Sequence, residues 1–334
     1  MENVIEITKL VKVYQKKGKV KGGLTAVNGI SFAVQKGEIF GLLGPNGAGK
    51  TTTLEIVEGL MVQTSGKVTV LGLDNLTQTE AIKKRIGIQL QSSQYLHHLT
   101  LGELLDLFAS LYTPSLSLRA QPKQSQDRSP RSAALPRDDK KKGLLQLVNL
   151  SDKENAEVKD LSGGQKQRFT IAASLVNNPE ILFLDEPTTG LDPKARRDLW
   201  QLIKTLNRQG ITIVLTTHFM EEAEFLCHRV AIMDSGKILE IDEPKKLIDH
   251  LSDTTQVSFF TENKIDANLF TSLPEVKKVH ANYPKVILEI TSLDKVSAIV
   301  AVLKNHNILF YGFTVKTASL EDVYLKLTGK DYEE

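Results

Sequence analysis

The stretch G-P-N-G-A-G-K-T, Gly44 to Thr51, decides how the rest of the 334 residues is read. It fits G-x-x-x-x-G-K-[ST] at every fixed position. With glycine at about 7% of residues, chance supplies that pattern in roughly one chain of this length in a hundred. Its flanks fit as well. E-I-F-G-L-L before it reads as a buried strand, and T-T-T-L-E-I-V-E-G-L after it reads as a helix with Leu54, Val57 and Leu60 on one side. In that setting Gly44, Gly47 and Gly49 let the backbone curl so that its N–H groups converge on phosphate oxygens at a helix N-terminus. Lys50 adds a full positive charge, and the Thr51 hydroxyl is placed to ligate Mg²⁺.

Outward from this loop, apolar runs rich in Ile, Val and Leu recur between helical patterns, as in a mostly parallel sheet covered on both faces. They are Ile39 to Leu43, Ile181 to Leu184 and Thr212 to Thr216, with a hairpin over Val230 to Leu239 turning at Ser235-Gly236. Three runs end in polar residues: the Gly44 loop, Asp185-Glu186 and His218. Ligands of open α/β sheets sit at the carboxyl ends of strands, so all three are expected to converge.

A helical section, about 88–178, lies between the first two runs. T-L-G-E at Thr100 to Glu103 is a capping box, and Leu101, Leu104, Leu105, Phe108 and Leu111 follow at helical spacing. Residues 113–142 are poor in apolar side chains and rich in Pro, Ser, Gln and Arg, which predicts a disordered insertion; helical pattern resumes at Leu144 to Leu150. After Glu243 the spacing predicts strands at Val257 to Phe260, Val276 to Val279, Val286 to Ile290 and Ile308 to Val315. Helices are expected at Ser297 to Leu303 and Leu320 to Leu327. The expected organisation is one large α/β domain over 1–243 and a small α+β domain over 244–334, the latter with no chemical motif.

At 41% hydrophobic and 25% charged residues, the composition is that of an ordinary globular protein. No apolar run approaches about 18 residues, so this chain is not expected to span a membrane. Met1 to Leu10 has acids where a signal peptide has basic residues. The single cysteine, Cys227, excludes an internal disulfide and fits a reducing compartment. The net charge of +2 is uneven: 113–142 holds eight Lys/Arg against three acids, +5, so the remaining residues carry −3. The folded part is not basic, and no nucleic-acid partner is expected.

Asp185 and Glu186 close a run too apolar to leave carboxylates there uncompensated. Beside a Mg²⁺-nucleotide, one acid can hold the metal through water and the other can act as general base on the attacking water. His218, directly after T-I-V-L-T-T, is placed to reach the terminal phosphate or that water. Tyr14 offers a ring to stack on a base, a contact of roughly 1 to 3 kcal/mol. A second glycine loop, L-S-G-G-Q at Leu161 to Gln165, opens a helix and offers another anion site, yet it has no lysine to anchor an independent nucleotide.

From Ile5 to about Glu243 these motifs, in this order, resemble the ATP-binding cassette (ABC) ATPases. The resemblance implies a P-loop NTPase cassette with a mostly parallel sheet core and a helical subdomain, using ATP and Mg²⁺. It makes Gly44, Pro45, Asn46, Gly47, Ala48, Gly49, Lys50, Thr51 and Thr52 the Walker A cradle and Tyr14 the adenine-stacking aromatic. Asp185 matches the Walker B aspartate, sharing the metal with Thr51; Glu186 matches the catalytic glutamate and His218 the switch histidine. Gln91, in I-G-I-Q-L-Q, matches the glutamine that touches Mg²⁺, with Gln89 on the same strand face as the alternative. Ser162, Gly163, Gly164 and Gln165 would complete the γ-phosphate site of the opposite subunit, with Asp192 in the cross-dimer loop.

The implied partners are a second cassette, identical or related, and separate transmembrane permease subunits, which would hold this chain at the cytoplasmic face of the membrane. Two departures stand out, a Lys/Gly-rich run Q-K-K-G-K-V-K-G-G after Tyr14 and the basic insertion; neither removes a catalytic group. The tail A-S-L-E-D-V-Y-L-K-L-T-G-K and the segment T-T-H-F-M-E-E-A-E are similar to those of bacterial drug- and lipid-exporter ATPases, which implies export. The competing reading is a soluble cassette acting on ribosomes or DNA. Such proteins usually join two cassettes in one chain or insert a coiled coil, and neither is present.

Overall fold

The computed structural model describes residues 2–15, 23–89, 98–112, 137–251, 255–262, 264–291 and 293–329. The chain divides between Ile241 and Asp242 into two compact units, two residues ahead of the boundary read from composition.

The first unit opens with β1 (Asn3–Tyr14), β2 (Leu24–Gln35) and β3 (Ile39–Leu43), then α1 (Lys50–Val57), β4 (Ser65–Val70), β5 (Leu73–Asp74), α2 (Thr79–Lys83) and β6 (Ile86–Gln89). Helices α3 (Leu101–Tyr112), α4 (Arg137–Leu147) and α5 (Gly163–Ser174) precede β7 (Ile181–Asp185), α6 (Pro193–Arg208), β8 (Thr212–Thr217) and α7 (Met220–Leu226). The hairpin β9 (Arg229–Asp234) and β10 (Lys237–Asp242) follows.

Among the described residues, one sheet runs β10-β9-β3-β8-β7-β6 and another β2-β1-β4-β5. In the first, β3 pairs in parallel with β8 and β9, and β7 with β6 and β8. β3, β7 and β8 are buried along their whole length, which is why they read as continuous apolar runs and not as alternations. The β9–β10 turn puts Ser235 at φ 49° and Gly236 at φ 76°, the left-handed pair that a tight two-residue hairpin needs.

The antiparallel sheet was not legible in the sequence. β1 carries register shifts against β2, and Lys9 sits at φ 49°, so the alternation breaks after a few residues. Its apolar face and that of the parallel sheet enclose α1: Ile5, Leu10, Val27 and Val68 from one side, Phe40 and Phe183 from the other, meet Leu54, Ile56 and Val57 in one core. The helix behind the glycine loop is therefore held between two sheets.

α3 begins at its capping box, with the Thr100 N–H donating to Glu103 Oε2 at 2.8 Å and the Glu103 N–H to Thr100 Oγ1 at 3.2 Å, and runs through Leu111, which is 73% exposed. Two expectations are corrected. α1 stops at Val57 and Leu60 is exposed, so only Leu54 and Val57 of the expected trio are buried. Residues 137–142, expected in the disordered insertion, are the first turns of α4. The Lys141 ammonium bridges Asp106 and Glu154, each at 3.2 Å, anchoring those turns by charge in a stretch without apolar spacing. Residues 113–136 lie outside the described residues.

The second unit holds α8 (Pro244–Leu251), β11 (Thr255–Phe260), α9 (Asn268–Thr271), β12 (Val276–Asn282), β13 (Lys285–Ile290), α10 (Val296–Asn305), β14 (Tyr311–Lys316) and α11 (Leu320–Thr328). Its sheet order, β12-β13-β11-β14, with antiparallel pairing, gives the βαββαβ arrangement of ferredoxin-like domains. Val257, Phe259, Leu288, Ile299 and Leu303 form its core with Phe270 of α9, a four-residue helix too short to show a period.

Candidate active site

Because β3, β8 and β7 lie side by side, the residues that follow them emerge together; the register pairs Leu43 with Thr217 and Asp185 with Thr216. The Gly44 N–H donates to Thr217 O at 3.3 Å, tying the glycine loop to the His218 segment. Within the loop Gly47 has φ 80° and Gly49 φ 101°, and a Cβ on Gly49 would fall 2.3 Å from the Ala26 carbonyl. Only glycine meets both demands. Gly49 caps α1 with no side-chain hydrogen bond and no acid in the first turn, so the helix supplies no anion of its own to its positive end. That end fits a phosphate group.

Lys50 is 4% exposed, and its Nζ donates to Gly44 O at 2.7 Å and Pro45 O at 3.1 Å. Glu186 Oε1 stands 3.6 Å away. Burial pushes the ammonium below the usual lysine range, against the pull of Glu186 and Asp185. An unpaired charge buried this deeply costs several kcal/mol, at least about three, so the carboxylate and the two carbonyls are what keep the lysine inside.

Thr51 Oγ1 donates to Asp185 Oδ1 at 3.1 Å, and the Thr216 hydroxyl donates to the same oxygen. Among the described residues no three His, Cys, Asp or Glu side chains cluster as a metal cage. The Thr51–Asp185 oxygen pair suits Mg²⁺, which is commonly held by one or two carboxylates and takes its other ligands from phosphate and water.

Glu186 adopts φ 45°, a left-handed backbone that costs a non-glycine residue about 1 to 3 kcal/mol. Its N–H donates to Thr216 Oγ1 at 3.0 Å. On the side chain, Oε2 accepts from Thr189 Oγ1 at 3.2 Å and lies 3.3 Å from His218 Nδ1. Lys50, Thr51, Asp185, Glu186 and His218 thus form one connected group, spanning three strand ends.

Tyr14 adjoins this group. Its hydroxyl lies 3.2 Å from Thr52 Oγ1 and donates to Met61 Sδ at 3.2 Å, while 37% of the residue stays exposed. Ser162 and Gln165 cap α5 reciprocally: the Ser162 N–H donates to Gln165 Oε1 at 2.9 Å and the Gln165 N–H to Ser162 Oγ at 3.3 Å. Asp192 caps α6, accepting from the Lys194 and Ala195 N–H groups at 2.9 Å each, and those bonds, the Ala195 one foremost, hold its carboxyl below the usual range. The hydrogen bonds of Ser162, Gln165 and Asp192 stay within their own helix ends and do not reach the Lys50 group. Gln91 lies outside the described residues. Gln89 closes β6 at 1% exposure, with both amide atoms buried and unbonded.

The sequence reading passed over Thr216, Thr189, Glu58 and Glu222. For Thr216 a signal existed, since two threonines ending an otherwise apolar strand are out of place in a core. Glu58, directly after α1 and 2% exposed, carries no motif. Burial, then the charges of Asp185 and Glu55, push its carboxyl up to about 8.

A sequence model of the family described as ABC transporter matches residues 27–189. Nod factor export ATP-binding protein I of Neorhizobium galegae is 33% identical over 329 residues, covering 98% of this chain and 86% of that protein. Linearmycin resistance ATP-binding protein LnrL of Bacillus subtilis (strain 168) is 33% identical over 317 residues, covering 93% of this chain and 96% of that protein. Among solved structures, the dimeric post-hydrolysis state of the ATP-binding cassette MJ0796 bound to ADP and Pi is similar at 26% identity and a TM-score of 0.60, over 72% of this chain and 98% of that one.

Two outcomes follow from the site. Lys50→Ala should weaken ATP binding by at least about tenfold, the loss of one charge-assisted contact, in a titration with a fluorescent ATP analogue. Glu58 holds a proton in the folded state that the unfolded chain releases above its ordinary 4.5. Its contribution to stability is therefore complete below 4.5 and is lost as pH rises through about 8. Glu58→Gln should melt above wild type at about pH 8.5 and converge with it near about pH 5, read by thermal unfolding across pH.

Proposed function

The chain belongs to the ABC transporter family as an ATP-hydrolysing cassette, and from that premise we propose that it powers an exporter whose membrane-spanning subunits are separate polypeptides. The observation that carries the catalytic part is the Lys50–Glu186–His218 contact at the carboxyl ends of β3, β7 and β8. Relatives named for Nod factor export and linearmycin resistance support the exporter part. No described helix is long and apolar enough to cross a membrane. The cassette then sits at the cytoplasmic face, held there by its permease partners.

Bound Mg²⁺-ATP supplies the phosphoryl group and the charge that polarises it. The chain's own residues do the rest. The Gly44–Thr51 N–H groups and Lys50 would hold the phosphates, Thr51 and Asp185 would hold the metal, and the Tyr14 ring would cover the base. Glu186, turned inward by its left-handed backbone, takes the proton of the attacking water on a carboxylate oxygen. His218, whose Nδ1 stands 3.3 Å from that carboxylate, is the switch that would meet the terminal phosphate. Gln91, or Gln89 on the same strand face, would touch the metal. Ser162, Gly163, Gly164 and Gln165, with Asp192, act on the nucleotide of a second cassette. ATP that binds well only to the closed pair shifts the population toward it, and hydrolysis releases it.

Glu186→Gln should bind ATP, hydrolyse it at least about a hundredfold more slowly, and run as a dimer with ATP in size-exclusion chromatography. A variant that binds ATP and stays monomeric would remove the cross-subunit reading. Affinity purification from detergent-solubilised membranes tests the transporter reading. A polytopic membrane protein is the expected companion; ribosomal or DNA-repair components without one would replace the exporter with a soluble cassette.

A further inference from the structure

Helix α6 is capped by Asp192, and α7 starts two residues after His218. The two are bolted side to side by contacts that belong to no motif of the hydrolytic site. Arg196, Trp200 and Lys204, four residues apart on α6, face Phe219, Glu222 and Phe225. The Arg196 guanidinium lies 4.4 Å from the centroid of the Phe219 ring, which itself packs 4.1 Å from the His218 ring. Trp200 stacks on Phe225 at 5.0 Å, and the Lys204 ammonium lies 3.5 Å from that ring's centroid.

At the middle of this ladder is Glu222, wholly buried. Its Oε1 accepts from Trp200 Nε1 at 2.9 Å and from Thr188 Oγ1 at 2.9 Å. Thr188, also wholly buried, stands two residues after Glu186 in the loop that leads to Asp192. One carboxyl oxygen therefore joins the helix after His218, the helix that begins at Asp192, and the loop between Glu186 and Asp192. A buried acid is a costly way to join three elements, since an apolar side chain would fill the space without desolvating a carboxyl. Burial pushes this carboxyl above its usual range, against hydrogen bonds from Thr217, Trp200 and Thr188. Glutamine matches its shape and keeps one acceptor oxygen for the Trp200 and Thr188 donors.

We propose that Glu222 is a positioning residue: its buried Oε1 holds the Thr188 loop and α6 in register with the His218 segment, so that Glu186, Asp192 and His218 keep one mutual geometry. Glu186 needs such support, because a left-handed glutamate persists only where its surroundings over-determine it. Released from Glu222, the Thr188 loop lets Glu186 relax away from His218. Among the described hydrogen bonds, Glu222 reaches the glycine loop only through Thr217, whose carbonyl accepts from the Gly44 N–H, so the loop's own backbone groups and its nucleotide affinity should be kept.

The inference rests on the roles given above to Glu186 and His218, and it is tested on the purified full chain by steady-state ATPase kinetics. Glu222→Ala should lower kcat about tenfold or more while KM for ATP stays within about twofold, the pattern of lost alignment without lost binding. Glu222→Gln keeps the acceptor oxygen and should retain at least about half of the wild-type rate. Should the alanine variant fail to fold, Thr188→Val and Trp200→Phe each remove one donor; each should cost kcat about two- to fivefold, with the double variant less than the product. A wild-type kcat in Glu222→Ala, or in both single-donor variants, overturns the proposal, as does a glutamine variant as impaired as alanine. Glu186→Gln is assayed alongside. Normal hydrolysis in that variant would defeat the assignment of the base and not the role of Glu222.

Discussion

The structure turns on one ammonium group. Lys50 lies at 4% exposure, and an ion so far from water persists only where fixed dipoles or an opposite charge replace its hydration. Its partners come from two places, the Gly44 and Pro45 carbonyls of its own loop and Glu186 on a loop more than a hundred residues away. The second partner arrives only if β7 lies one strand from β3, with β8 between them. The first requires the loop to bend as only glycine allows at Gly49. The strand order and the glycine spacing answer the same electrostatic demand.

That demand also explains where strain is kept. Glu186 adopts a backbone conformation costing about 1 to 3 kcal/mol, and Thr216, Thr189, His218 and Lys50 all touch it. Phosphate oxygens entering the loop would compete with Glu186 for the same ammonium. In the proposed mechanism the carboxylate would then turn toward water, with His218 Nδ1 3.3 Å from its other oxygen. A site held together by an exchangeable ion pair can change partners without rebuilding its scaffold, because α1 is packed between two sheets and does not need to move.

Much of this scaffold could be read in advance. Continuous apolar runs at Ile39, Ile181 and Thr212 are what strands buried on both faces must look like, and each matched a strand of the parallel sheet. The N-terminal antiparallel sheet escaped because bulges break the period of two on which such reading depends. The first turns of α4 escaped because R-D-D-K-K-K has no apolar stripe; what orders Lys141 is Asp106 on another helix and Glu154 in a later turn. Leu60 and Leu111 fall at helical spacing yet end exposed, since spacing places a residue on a face and cannot say whether anything covers that face.

For the site the division is similar. The expected chemistry could be read along the chain alone. A glycine loop with its lysine and threonine, two acids closing a strand and a histidine closing another are local patterns whose residue types follow from phosphate, metal and proton transfer. Which groups meet follows from strand order and helix packing, not from local spacing. Thr216 became a bridge between Asp185 and Glu186, and Glu222 a joint between α6 and α7, because strand order and helix packing carry them there. Such contacts join residues far apart in the chain, and the energy of a buried hydrogen bond depends on what lies across from it, which no local spacing records.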